Sequence, residues 1–298
     1  MTAVILTLSG TLAALGWSTS ACAQWPAFAD PAVPRDAEGN VLMDAAPPRM
    51  PDGTPDFSGL WMRANSGPPR EGRGGGGGGG APIDVVAESF PFDPDGPPVA
   101  TFFEAGANME GGLPYTPWGK MLRDQRNALT ARNNPDANCM PMGFLQFHQQ
   151  PQPRKIIQTE KLIVIEYEAN YGLRHIYLDG RELPPQGEPQ PWWYGYSVGH
   201  WEDGDLVVET NNLRGAEDSE FDGWLDVNGS PYTREAKITE RFRRPTFGHL
   251  QIDFTIDDPK AYTKPWTVRI DQRLLPDQEL IEFICNENQQ FGRRIELN

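Results

Sequence analysis

The residues able to do chemistry in this chain are few and scattered. It has four histidines, His148, His175, His200 and His249. None belongs to an H-E-x-x-H pattern, and a C-x-x-C pattern is also missing. The common zinc and thiol-redox signatures are therefore lacking. A catalytic zinc would have to be assembled from distant strands, by His175 and His200 with Glu166, Glu240 or Asp179. No metal site and no cofactor is assigned on this pattern.

Glu240 is the most informative carboxylate. It stands at the apolar parity between Ile238 and Phe242. If that parity faces inward, burial raises the carboxyl pKa and suits it to proton transfer near neutrality. His200 shares parity with Tyr194, Tyr196 and Val198. His200, His175, Glu240 and Tyr196 thus form a candidate acid–base set for proton transfer or elimination on a small organic molecule. An open cavity reached by His200 and Glu240 together would favour this chemistry. The structural alternative is that Glu240 pairs with an arginine inside a packed network. His249 follows the Phe247-Gly248 turn and is expected at the solvent.

A second group of residues could hold a ligand. Trp192, Trp193, Tyr194 and Trp201 cluster with Tyr196, and Phe144, Phe147 and Trp118 precede them. Such rings can line a cavity for an apolar, aromatic or sugar-like molecule, or fill a core. Gln272 lies at an apolar parity between Ile270 and Leu274, as Glu240 does in its own strand. The glycine run Gly74–Gly80 is read as a flexible loop. It has no strand before it, no helix after it and no lysine, so it does not read as a phosphate loop.

These residues need strands to position them. Alternation predicts strands at 143–149, 154–160, 162–169, 173–179, 194–202, 205–210, 235–243, 249–257, 266–275 and 279–287, separated by Gly, Pro and Asp turn signals. Asp203-Gly204 reads as a type I′ hairpin turn. Alternation is clearest where Leu250, Ile252, Phe254 and Ile256 oppose Gln251, Asp253, Thr255 and Asp257. Each such strand has a dry face and a wet face, and the wet faces carry opposite charges that can pair. One helix is expected at 116–132, where Met121, Leu122, Gln125 and Leu129 recur at helical spacing. The expected fold is therefore mainly β, an antiparallel meander closed into a lipocalin-like barrel or paired as a sandwich, with one short helix.

Composition narrows the class further. Among 298 residues, 31 glycines and 29 prolines argue against a helical bundle. The net charge of −15 repels phosphate backbones and anionic membranes, so neither a nucleic-acid partner nor stable membrane insertion is expected. Met1 to Ala14 is apolar and uncharged, and Ala21-Cys22-Ala23 gives an A-x-A cleavage pattern. Residues 1–23 read as a signal peptide, 24–115 as a Pro/Gly-rich arm and 116–298 as the helix and barrel. In an exported chain, Cys139 and Cys285 are candidates for a disulfide, with two buried thiols as the alternative.

Three segments together carry a resemblance: the run Pro51-Asp52-Gly53-Thr54-Pro55-Asp56-Phe57-Ser58-Gly59-Leu60-Trp61, the hairpin from Trp201 to Thr210, and the loop from Asp258 to Trp266. With them the chain resembles a broad group of exported bacterial proteins of unassigned function. The resemblance implies export and a β-rich, lipocalin-like body, and it implies no reaction. The leading expectation is a periplasmic or secreted barrel that binds a small apolar or aromatic molecule. The alternatives are an acid–base enzyme (lyase, isomerase or hydrolase) and a structural or assembly module.

Overall fold

A computed structural model describes residues 29–64, 90–187 and 191–287. Residues 1–23 and Gly74–Gly80, read above as a signal peptide and a loop, lie outside the described residues.

The alternating segments form nine strands, β1 (Gly59–Arg63), β2 (Arg154–Gln158), β3 (Leu162–Tyr167), β4 (Gly172–Tyr177), β5 (Tyr196–Glu202), β6 (Asp205–Asn211), β7 (Lys237–Thr246), β8 (His249–Asp257) and β9 (Trp266–Leu274). Each strand pairs with the next and β9 returns to β1, which closes the sheet into a barrel without free edges. The dry faces of β7, β8 and β9 point inward and put Ile238, Phe242, Leu250, Ile252, Phe254, Ile256, Val268 and Ile270 in one core. The wet faces pair outside: Arg241 reaches Asp205, and both Arg243 and Arg269 reach Asp253. The β5–β6 turn takes the expected form, with Asp203 and Gly204 both at positive φ.

Several expectations are corrected. The meander is not wholly antiparallel, because β4 and β5 run parallel through Ile176↔Ser197 and Tyr177↔Val198. The chain needs the long, Pro-rich 178–195 crossover to make that connection. Residues 59–63, assigned to the arm, supply β1, so the barrel begins well before residue 116. Residues 279–287 form no strand. Instead Cys285 bonds Cys139 and ties this C-terminal stretch to the segment leading into the barrel.

The expected helix is α1 (Pro117–Ala128), begun by the Thr116 side chain accepting from Gly119 N and by Pro117. It stops short of residue 132 because Thr130 and Ala131 take left-handed φ. Residues 144–149, read as a strand, are a second helix, α2 (Phe144–Gln149). All six of its residues are buried. A short, fully buried run without a solvated face does not distinguish helix from strand by periodicity. Gly143 starts α2 where a Cβ would lie 2.4 Å from the Trp224 carbonyl oxygen, so the close approach needs glycine. Arg154 closes the other end by donating to the carbonyls of His148, Gln150 and Gln152.

Packed rings of the arm fill the barrel at the β5–β6 turn. There Phe57 stacks on Trp201 at 5.8 Å and meets Phe242 at 6.1 Å. Gln158 holds that segment by accepting from Phe57 N and donating to Pro55 O. Among the described residues no helix is long and apolar enough to cross a membrane.

Candidate binding site

The polar residues inside the barrel fall into two groups, one saturated and one not. The saturated group centres on Glu240, which faces inward as its parity predicts and is fully buried. Arg174 on β4 donates to both of its carboxylate oxygens, at 3.1 and 2.5 Å. Ser197 on β5 and Thr210 on β6 accept from the same guanidinium, and the Phe144 ring lies 3.8 Å beneath it. His148 on α2 completes the group with Nε2 3.0 Å from Glu240 Oε1.

The protonation states follow from these contacts. Burial alone would raise the Glu240 pKa, as expected above. The Arg174 charge and the His148 hydrogen bond outweigh burial and hold the carboxyl down at about 2. Burial dominates at His148 and lowers its pKa, so the ring is neutral at neutral pH. An ionised Glu240 can only accept, so His148 Nε2 carries the proton and Nδ1 is left as an acceptor. The expectation of a raised, proton-exchanging Glu240 is therefore corrected, and the arginine-paired alternative describes its surroundings.

The second group has no such closure. Gln272 on β9 is fully buried, yet neither Nε2 nor Oε1 has a hydrogen-bond partner. His148 Nδ1 is likewise buried and unpartnered, and the Tyr167 hydroxyl is buried with only the Arg174 guanidinium beside it. Burial pushes the Tyr167 pKa up to about 12, so it remains a hydroxyl. Two neighbouring rows of inward side chains place these groups. One row runs Leu274, Trp61, Arg154, Tyr167 across β9, β1, β2 and β3. The next runs Leu250, Gln272, Arg63 across β8, β9 and β1. Leaving a buried amide unpaired costs about 1–3 kcal/mol, so such groups are rare in a settled core.

No protein-family model, curated protein or solved structure matches the chain. The functional reading therefore rests on the arrangement of its own residues.

The structure separates the residues proposed for acid–base work. Glu240 is inside, whereas His200 lies on the outer face of β5, half exposed, with Nε2 2.9 Å from Glu202. His175 is exposed on the outer face of β4 and stacks on Tyr177. Tyr196 also faces outward, where its hydroxyl accepts from Arg181. In β5 it is Ser197 and Trp201, not the His200 parity, that reach the interior. The reading failed because tyrosine and histidine on that parity are amphipathic and do not mark a dry face. The zinc set that joined His175 and His200 to Glu240 is not assembled, and no group of three potential ligands converges among the described residues.

The aromatic residues are also divided. Trp192 is exposed and meets Tyr196 at 5.3 Å with tilted rings, and Trp193 lies under Arg214. Both belong to the outer crossover. Tyr194 reaches the core and meets Phe147 at 5.6 Å, Trp201 fills one end of the barrel, and Phe144 packs beneath Arg174. His249 is not solvated as expected. It is largely buried, stacked on Phe90 and 2.6 Å from Asp271.

Sequence reasoning missed His148, Arg174, Tyr167, Arg154 and Arg63. A signal existed for Arg174: an inward carboxylate at position 240 calls for an inward cation, and the β4 parity supplied one. His148 was hidden because its segment read as a strand.

Proposed function

We propose that this protein binds a small apolar or aromatic molecule inside the barrel. The reading is supported chiefly by Gln272, which is fully buried with both amide atoms unpartnered. Most of the barrel is packed by Ile, Leu, Val and Phe side chains, and Gln272, Tyr167 and His148 depart from that pattern. Ligand pockets combine apolar walls with a few unsatisfied polar groups that orient the ligand. Trp61, Phe144 and Phe147 supply the apolar walls near these groups.

The protein works after export, in the periplasm or outside the cell, with no nucleic-acid or membrane partner. The apolar N-terminal run, the A-x-A pattern and the Cys139–Cys285 disulfide support export, since disulfides persist in oxidising compartments. The acid–base alternative finds less support, because Glu240 is ionised and saturated and is far from His175, His200 and Tyr196 in orientation.

Thermal-shift screening against a library of aromatic and terpenoid compounds tests the reading. A compound at about 100 times its Kd stabilises the fold by about 2.7 kcal/mol, a shift of several degrees. Stabilisation that is lost in Gln272→Leu is the expected result. A library in which no compound raises the Tm would overturn the proposal.

A further inference from the structure

The unpartnered amide has a charged neighbour. Arg63 is the Cα partner of Gln272 across β1 and β9. Their pair lies one step from the hydrogen bond of Ala64 N to Asp271 O. It is therefore a non-hydrogen-bonded pair, the type whose side chains lie closest. Arg63 shares parity with Trp61, which is wholly buried inside the barrel. Among the described residues no carboxylate, carbonyl or hydroxyl bonds the Arg63 guanidinium. Burial lowers its pKa with no opposing charge to restore it. Arg154, in the adjoining row, is held only by backbone carbonyls, and its Nε is unpartnered.

Among the described residues, a chain of net charge −15 thus leaves a partly buried guanidinium without a counter-ion, beside a fully buried amide without partners. A partly desolvated charge without a partner is unfavourable, and an anion held there relieves it.

We infer that the ligand is a small carboxylic acid with an apolar or aromatic body, its carboxylate held by Arg63 and by Gln272 Nε2. This rests on the binding reading above and names the ligand class. A planar guanidinium fork matches a carboxylate in two parallel hydrogen bonds. One free guanidinium balances one negative charge, so a monoanion fits better than a phosphate dianion. Gln272 Oε1 then accepts from a ligand hydroxyl or from a bridging water.

Calorimetric titration with matched pairs tests this: 1-naphthoate against 1-naphthamide, 4-hydroxybenzoate against 4-hydroxybenzamide, and decanoate against decanamide. In at least one pair the acid should bind about 10-fold or more tightly than the amide, since charge-assisted hydrogen bonds are about twice as strong as neutral ones. Arg63→Met should abolish that preference. It should also raise the Tm of the ligand-free protein, because it removes an unpaired, partly desolvated charge. Arg63→Lys, which keeps the charge but loses the fork, should bind the acids at intermediate strength. If acids and amides bind equally, the acid preference is wrong while the binding reading stands. If neither series binds, both are wrong. A lower Tm for ligand-free Arg63→Met would mark Arg63 as a structural residue and overturn the inference.

Discussion

Glu240 and Gln272 occupy equivalent positions in their strands, inward and flanked by apolar residues, yet their surroundings differ completely. Glu240 has a full set of partners and Gln272 has none. Removing one partner of a buried ion pair leaves an uncompensated charge, at a cost of about 3–5 kcal/mol. Glu240→Gln should therefore lower stability by about that amount in chemical denaturation, because Arg174 stays buried. The same pair sets an acid dependence. The folded pKa of Glu240 is depressed from its ordinary 4.5 to about 2. Its contribution is complete above 4.5 and is lost as pH falls toward 2. His148 also has a depressed folded pKa, so its contribution disappears as pH falls below its ordinary 6.5. Both effects destabilise on acidification. The stability gap between wild type and Glu240→Gln, followed by denaturation between pH 7 and 3, should narrow below 4.5 and be smaller by about 2 kcal/mol at pH 3. A gap that stays constant would show that Glu240 is not held ionised.

The elements that position these residues were unequally legible. β7, β8 and β9 could be read because each has one apolar face and one charged face, and their boundaries came out within a few residues. β5 could be seen as a strand, but its inner and outer faces were exchanged, since Tyr196 and His200 look apolar enough to bury while Ser197 does not. Ser197 is inside because Arg174 needs its hydroxyl, a requirement set by another strand. α2 could not be read at all. Its burial is complete, its six residues show no alternation, and its ends are set by Trp224 and Arg154, which are remote from it or outside it. α2 carries both His148 and Phe144, so disturbing its start should disturb the interior. Gly143→Ala places a methyl against the Trp224 carbonyl and should cost about 1–3 kcal/mol by calorimetry. An unchanged Tm would mean that α2 is not anchored there.

At the scale of the molecule, glycine and proline are used for connection, in the arm, the 178–195 crossover and the turns, while the strands hold the ordered apolar residues. The barrel has no free edge because β1, drawn from the Pro-rich part of the chain, closes it. Its remote ends are tied by the Cys139–Cys285 bridge, which spans 146 residues. Loop-closure entropy gives such a bridge up to about 5 kcal/mol. Paired Cys139→Ser and Cys285→Ser should therefore lower the Tm by several degrees or more, and a Tm insensitive to both would contradict that contribution. The central claim concerns the interior, where one fully buried glutamine lacks any partner. It is tested most directly by calorimetric titration of the wild type and of Gln272→Leu with the compound that most stabilises the wild type. A hydrogen-bonded ligand predicts binding about 10-fold or more weaker in the variant, with the fold intact. Equal affinity in the two proteins would contradict a ligand held inside the barrel by Gln272.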